Sequence, residues 1–484
     1  MAIRREDLEK HDKSELIDFI VSLSTQLEEY RNQNLEQRKT ISRLEKVVAA
    51  QNKEIKGLKS RIAQLEKNSS NSSKPPSSDM NRPKKRIFSL RKKSGKKPGG
   101  QLGHKGVGRS LVESPDEVIR CEPELCCGGC GTPLDFKLSK ITSRRQEIEI
   151  PPVQPIITEY QEIENTCRCG TINIGKYPDH IKTNIQFGSR IKGLMVYLNV
   201  RQLIPYKRLQ EMSSDLFGLD IAKASIENML ESATVKSGPI VESILQGLKK
   251  GKWVGSDETS KKVGVKKYWE WVWMNAKASY YAIDPSRGYK VVQEYFGETY
   301  EGVLVHDCYS AQNNTIAKSG HQLCHAHLHR DLKFLIEIHR SQWAYELDQF
   351  LRSAQRARDR IWTEGVDECI RKKVIKDYNQ RFSEFRLKPT RNPECTKLWK
   401  RMKKHSDKIL LFMSDPDIPW HNNGSEQAIR MVKVKQKISG CFRSERGAQR
   451  HSTLCSVIET AKKQGMKPLS AIEALFNGSL VFSF

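Results

Sequence analysis

Residues 251–284 read GKWVGSDETSKKVGVKKYWEWVWMNAKASYYAID. Aromatic and β-branched residues dominate three runs in this stretch, and Gly, Asn and Asp punctuate them. That pattern predicts three successive β-strands: KWVGSD, KYWEWVWMNAK and SYYAIDP. Next, GYKVVQEYF at 288–296 suggests a helix, and GVLVHDCYSA at 302–311 a buried strand ending in Asp307.

Three strands, a helix, then a strand with an acid at its end is the order of the ribonuclease-H-like α/β fold. In that order the first acid lies on the first strand and the second at the end of the fourth, its neighbour. Asp257 and Asp307 should therefore meet. Two carboxylates in one place repel and desolvate each other, so a cation is expected between them. Hard oxygen ligands suit Mg²⁺ or Mn²⁺. Glu258, one residue on, should leave the opposite face of the strand and stand by.

A two-metal site needs a third carboxylate. Residues 417–437, DIPWHNNGSEQAIRMVKVKQK, show a helix start at Asn-Gly-Ser with Glu426 in the first turn and Arg430 one turn on. The 427–463 region carries nine Lys/Arg against two Glu. The chemistry this set suits is in-line displacement at phosphorus by water or a 3′-hydroxyl, with two ions. Between Asp307 and Glu426 the sequence is helix-periodic with few breakers, which predicts an all-helical insertion over about 330–412.

The whole chain has 484 residues, with 83 Lys+Arg against 57 Asp+Glu and a formal net charge of +26. At ~150 residues per domain that length holds about two to four domains. Such a charge favours a polyanionic partner, nucleic acid first. No apolar run approaches the ~18 residues of a membrane span, and the N-terminus lacks the apolar core of a signal peptide. The expected setting is intracellular, where disulfides are rare, so the twelve cysteines read as core thiols or metal ligands.

Residues 16–65 carry apolar residues alternating by three and four, from Ile20, Leu23, Leu27 and Tyr30 to Ile55, Leu58, Ile62 and Leu65. This is a coiled-coil heptad pattern, and Asn34 at an a position is a register device that favours a parallel dimer. A coiled coil over 1–67 would make the protein at least a homodimer. Residues 68–109 form a Ser/Asn/Pro/Gly-rich linker. From Lys74 to Arg109 it holds twelve Lys/Arg and one Asp, a charge that would release counterions from double-stranded DNA. Lys84, Lys85, Arg86, Lys92, Lys93, Lys96 and Lys97 are its candidate DNA contacts.

The segment 110–178 contains Cys127-x2-Cys130-Gly131 and Cys167-x-Cys169-Gly170. The first is a zinc-knuckle turn, and the four thiolates together would complete a tetrahedral structural Zn²⁺ site. Cys121 and Cys126 are competing ligands. Residues 179–250 outline a helix, a turn at Gly218 and a second helix near Ala222, a helix-turn-helix-like arrangement that could contact DNA. The catalytic region is expected over 251–464, with a C-terminal tail at 465–484. The expected architecture is thus a multidomain α+β chain: coiled coil, zinc-binding module, helical domain, and ribonuclease-H-like catalytic domain.

NSSKPPSSD, KPGGQLGHKG, the knuckle, SDET, HDCYSA, LCHAHLHRDLKFL, HNNGSEQAIR and FRSERGAQRHSTLCSVIETAKKQG occur here in the order seen in transposases of the insertion-sequence sixty-six family, which the chain resembles from about residue 68 onward. The resemblance implies an Asp-Asp-Glu DNA transposase with Asp257, Asp307 and Glu426 as its metal-binding triad. It also implies a bacterial, cytoplasmic, nucleoid-associated protein acting on element ends and target DNA, with accessory proteins of the element as possible partners. His327, Arg330, Arg430, Lys433, Lys437 and Arg443 are candidate DNA contacts around that site. The tighter second cysteine pair departs from the family pattern, as does His325, where a larger aromatic often stands.

Two other functions fit parts of the sequence: a DNA-binding regulator with an inert nuclease-like domain, and a stand-alone nuclease. The regulator would have a broken triad. His321, His325 and His329 recur at helical spacing without a matching acid or thiol and read as packing. Trp269, Trp271 and Trp273 alternate along one strand face and read as core. Asp284, Asp331, Asp415 and Asp417 read as turn or surface acids.

Overall fold

The structure, a computed structural model, describes residues 12–67, 71–72, 103, 109–363, 365–387 and 392–484. The chain forms two compact units, one of Met1–Arg82 with His325–Ser414 and one of Pro83–Cys324 with Asp415–Phe484. No described helix is long and apolar enough to cross a membrane.

The first unit begins with α1 (Lys13–Glu66), a single 54-residue helix. A capping box starts it: Asp12 accepts from the N–H groups of Ser14 (2.7 Å) and Glu15 (2.9 Å), and Glu15 accepts from the Asp12 N–H. The a/d residues from Ile20 to Leu65 are exposed along its length. Near its end Ala63 is buried, and the Lys67 ammonium reaches Glu394 (3.5 Å) and the Phe334 ring.

In the second unit, the cysteine-bearing segment holds two short antiparallel strands, β1 (Glu164–Thr166) and β2 (Ile172–Ile174). Three helices follow: α2 (Ser189–Val196), which opens into a π turn at Tyr197–Arg201, α3 (Tyr206–Phe217) and α4 (Lys223–Lys249). Gly218 closes α3 at φ 60°, a left-handed position that glycine adopts without a Cβ penalty. The turn and second helix thus fall where the sequence put them. Met195, Leu230 and Ile244 share one buried cluster with Trp271, Trp273, Leu454 and Leu475. These helices therefore fold with the sheet and not apart from it.

That sheet contains β3 (Trp253–Val263), β4 (Lys266–Met274) and β5 (Ser279–Asp284). After α5 (Tyr289–Tyr295) and the short β6 (Thr299–Tyr300) come β7 (Val303–His306), the one-turn helix α6 (Ser310–Asn313), β8 (Ile316–Ala317) and β9 (His321–Leu323). The strand order is β5-β4-β3-β7-β9, with β6 and β8 paired separately. β3 is antiparallel to β4 and parallel to β7, which is parallel to β9. Trp271 and Trp273 are fully buried, and Trp273 stacks on Phe296. Trp269, on the same face, is half-buried. Such aromatic pairs add ~0.5–1.5 kcal/mol beyond area burial.

The chain then enters the first unit again as α7 (His325–His339), α8 (Gln342–Ile361), α9 (Glu368–Leu387) and α10 (Pro393–Lys404). No strand occurs among the described residues of this stretch. His325 bonds the Ile409 carbonyl oxygen (2.8 Å) and His329 pairs with Asp348 (2.6 Å), so both serve packing.

Back in the second unit lie α11 (Asn423–Ser439), α12 (Glu445–Lys463) and α13 (Pro468–Asn477). α12 packs on β5 and α4. The expected C-terminal tail is docked: Ala471, Ile472, Leu475, Leu480 and Phe482 are buried. A side chain at Gly247 would run into the Phe484 ring.

Candidate active site

β3 and β7 run parallel with Gly255 opposite Val305. Two residues further along each, the chain reaches Asp257 and Asp307, so both acids stand at the same level of neighbouring strands. The Asp307 loop is fixed by its own backbone. Tyr309 N–H donates to Asp307 Oδ1 (3.0 Å) and Cys308 N–H to His306 Nδ1 (3.1 Å). Cys308 sits at φ 77°, a left-handed position that favours glycine, and such strain clusters at functional sites. Because His306 Nδ1 accepts, its Nε2 carries the hydrogen that meets His321 Nδ1 at 3.0 Å.

Glu426 comes from the first turn of α11. This helix start lies directly on β3. The Asn422 side chain donates to the Ser256 carbonyl oxygen (2.8 Å), and Asn422 N–H donates to Cys324 Sγ (3.1 Å). The approach requires two glycines. A Cβ at Gly255 would lie 2.7 Å from Asn422 Oδ1 and from Ser425 Oγ, and one at Gly424 would lie 2.8 Å from Met274 Cε. The sequence reads Asn423-Gly424-Ser425 as a helix start, and neither Asn422 nor Gly255 stands out in it.

The three acids act on one another electrically. Burial pushes the Asp257 carboxyl well above the usual carboxylate range, and the charges of Glu258, Asp307 and Glu426 add to it. Asp257 Oδ1 accepts from the Glu258 N–H (2.9 Å), which opposes the shift.

Glu258 departs from the idle role expected of it. It is buried, with Arg287 Nη2 at 2.5 Å and Nε at 2.8 Å from Oε1, and Gln312 donating to Oε2 at 2.7 Å. The Arg287 guanidinium lies over the rings of Tyr309 (3.8 Å) and Trp269 (4.5 Å). Glu258 thus ties β3 to the loop and one-turn helix that follow Asp307. Burial raises its pKa, Asp307 adds to the shift, and Gln312 and Arg287 counter it.

Three carboxylates, one of them held against ionisation first by burial and then by the charges of its neighbours, offer hard oxygen donors of the kind that suit a divalent cation. Among the described residues, no set of three potential ligands that includes Asp257 or Asp307 has its ligand atoms all within 4.8 Å. The acids are gathered but not closed into a cage.

The cysteines form two separate knuckles. Cys127 N–H bonds Thr132 O (2.9 Å) and Gly131 N–H bonds Cys127 O (2.8 Å), with Gly131 at φ 73°. Cys167 and Gly170 repeat the pattern with Thr171, Gly170 at φ 87°. The Thr171 hydroxyl and backbone, then Cys167, lower the Cys169 thiol to about 7, and Thr132 lowers that of Cys130. No three ligand atoms of this segment lie within 4.8 Å of one another, so the two knuckles are not joined. Cys121 and Cys126 are exposed, and none of the twelve cysteines is in a disulfide.

Of the candidate DNA contacts, Lys84, Lys85, Arg86, Lys92, Lys93, Lys96 and Lys97 lie outside the described residues. His327 and Arg330 are on α7, in the first unit. Arg430, Lys433 and Lys437 follow Glu426 along one face of α11, and Arg443 is exposed on the loop beyond it.

Comparison with known proteins adds an independent finding. The Transposase IS66 family matches residues 184–450, a span holding all three acids. A family of unknown function (DUF6444) matches residues 24–110. Two uncharacterized proteins of Sinorhizobium fredii are similar over most of the chain. One, y4hP, is 22% identical over 401 residues, covering 73% of this chain and 71% of that protein. The other, y4qI, is 24% identical over 393 residues, covering 74% and 71%. A third from that organism, y4jO, is 28% identical over 151 residues, 30% of this chain and 44% of its own length. The chain therefore spans less than half of that relative.

Proposed function

The chain belongs to the IS66 family of transposases, and on that premise we propose that it cuts DNA at the ends of its insertion element and joins them to target DNA. The observation that carries this reading is geometric: Asp257 and Asp307 stand at the same level of parallel neighbouring strands, and the Asn422–Ser256 bond holds the start of α11, with Glu426 in its first turn, against β3. The mixed sheet order β5-β4-β3-β7-β9 is the one expected of a ribonuclease-H-like catalytic domain, which supports the assignment.

In this reading Asp257, Asp307 and Glu426 would hold two Mg²⁺ or Mn²⁺ ions. Such ions, when bound, polarise the scissile phosphate and lower the pKa of the attacking water or 3′-hydroxyl. The protein supplies the rest. The Ser256–Asn422 bond fixes Glu426 against β3. The Glu258–Arg287 pair steadies the Asp307 loop. Arg430, Lys433 and Lys437 offer cationic groups to the phosphates next to the cut. Water attacks phosphorus in line and the P–O3′ bond breaks, leaving a 3′-hydroxyl. That hydroxyl then attacks a target phosphate, displacing its 3′ oxygen.

Around this centre the basic linker would add sequence-independent DNA affinity, and α1 would pair two chains. Cys127, Cys130, Cys167 and Cys169 would hold one structural Zn²⁺ once their two knuckles close on it. The chemistry of the thiols supports this, since lowered pKa values favour the thiolate that zinc requires. The protein would work in the bacterial cytoplasm, at the nucleoid, with accessory proteins of the element as possible partners.

The test is a strand-transfer assay with labelled element ends. Products joined to target DNA in Mg²⁺, and none in EDTA, are expected. Cleaved ends without joined products would mean a nuclease. DNA binding with neither product would mean a regulator.

A further inference from the structure

The β3–β4 hairpin turns at Gly264, φ 57°, with Val265 fully exposed at its tip. In its register Lys262 stands directly opposite Lys267. Like charges facing each other across a ribbon are destabilising. Both side chains are exposed, as is Lys266, and none of the three is in an ion pair among the described residues.

The hairpin is held firmly in this arrangement. Gly264 N–H donates to Phe442 O (2.6 Å), and Phe442 N–H donates to Lys262 O (3.0 Å). From inside, Lys261 lies over the Phe442 ring (4.1 Å) and is paired with Glu270 (2.6 Å), both ends of the pair being wholly buried. This places the exposed Arg443 at the hairpin's edge. On the side of α11, Lys433 donates to the backbone and hydroxyl oxygens of Ser260. Burial lowers the Lys433 pKa first, and the nearby Lys267 ammonium lowers it further.

Lys433 and Lys437 share one face of α11 with Glu426, seven and eleven residues on. At ~1.5 Å per residue this face runs about 16 Å from Glu426 to Lys437. A strand of B-DNA offers a phosphate every ~3.4 Å of axis, so about five fall along that length. Single-stranded nucleic acid would want open aromatic faces for stacking. Of the two aromatics on this part of the ribbon, Tyr268 is buried and Trp269 is covered by Lys267 and Arg287.

We infer that the β3–β4 hairpin and Arg443 form a phosphate clamp for duplex DNA, at the far end of a cationic track that begins beside Glu426. The inference rests on the reading of that site as a DNA-cutting centre. It explains why a register that sets lysine against lysine is kept: the neutralising charge arrives with the ligand.

The test compares the full-length protein with a variant carrying Lys262→Gln, Lys266→Gln and Lys267→Gln, and with a control of equal charge loss, Lys277→Gln, Lys290→Gln and Lys318→Gln. Binding of a fluorescent 30-base-pair duplex is followed by anisotropy from 50 to 200 mM KCl. At about 0.9 per phosphate contact, the hairpin variant should show a log–log salt slope shallower by roughly 2–3. The control should keep the wild-type slope. Because the lysine–lysine repulsion is relieved, the hairpin variant should melt no lower than wild type. An unchanged slope in the hairpin variant, or an equal change in the control, overturns the clamp. So does displacement of the duplex by poly-L-glutamate at equal charge concentration. Cleavage by Asp257→Asn, run alongside, judges the cutting-centre reading separately: activity there would sink that reading while the slopes still decide the clamp.

Discussion

The Asn422 amide donates to the Ser256 carbonyl oxygen at 2.8 Å, joining the residue before Asp257 to the residue four before Glu426. With Gly255 and Gly424 leaving the necessary space, this bond sets the distance between β3 and the start of α11. Gly255→Ala would drive a methyl into Asn422 and Ser425, an overpacking that costs about 1–3 kcal/mol. Asn422→Ala would leave a buried carbonyl oxygen unpaired, at ~1–3 kcal/mol. Both are expected to lower the melting temperature and to slow single-turnover cleavage. Gly255→Ala with wild-type melting and cleavage would show that the close approach has no role.

Glu258 is expected to matter without being a ligand. Glu258→Gln keeps the shape but loses the charge that holds Arg287, so the Asp307 loop should loosen. Substitutions of groups that orient metal ligands typically cost about 10–100-fold in metal affinity or activity, and a shift of that size in half-saturating Mn²⁺ is expected. Adding Arg287→Ala to Glu258→Gln should cost little more, because the two act as a pair. Additive losses would show that they act independently.

Asp257, Asp307 and Glu426 stand out in the sequence because each sits in a local pattern: the end of the run KWVGSD, the end of an apolar run, a helix start. β3 in fact continues six residues beyond Asp257, to Val263. The all-helical stretch before Glu426 was legible from its periodicity and lack of breakers. What stayed hidden depends on distances between segments far apart in sequence. Nothing local to Gly255 announces that Asn422 and Ser425 will press on it, 167 and 170 positions later. Lys262 and Lys267 look like a solvated turn until the register sets them opposite each other. Residues 465–484 read as a tail because the surface they cover, around Gly247, belongs to α4.

Lys435 gives a pH dependence with a definite sign. Burial pushes its ammonium down to about 8 from an ordinary value of 10.5. Between those values the unfolded chain binds more protons than the folded one, so folding stability rises with pH across the window, and the penalty is complete below pH 8. At ~1.4 kcal/mol per pH unit, wild type should gain about 2 kcal/mol relative to Lys435→Met between pH 7.5 and 9.5. Denaturant unfolding at the two values measures it, and parallel behaviour of the two proteins would refute the assignment.

The exposed a/d stripe of α1 is expected to close against a second copy. Deleting residues 1–66 should reduce the dimer to a monomer in sedimentation. Asn34→Leu should raise the melting temperature of the paired helix while broadening its oligomeric states, since a polar a residue trades stability for register. A dimer of unchanged stability after the deletion would place the interface elsewhere.

The most direct test of the central claim is cleavage of labelled element-end DNA in Mg²⁺ by three single variants: Asp257→Asn, Asp307→Asn and Glu426→Gln. Loss of one group that stabilises transition-state charge typically costs about 10²–10³-fold, and a loss at least that large is expected for each variant. DNA affinity, which rests on the basic surfaces, should stay close to wild type. Wild-type cleavage by any one of the three would contradict the account, and so would a loss of cleavage that merely tracks a loss of DNA binding.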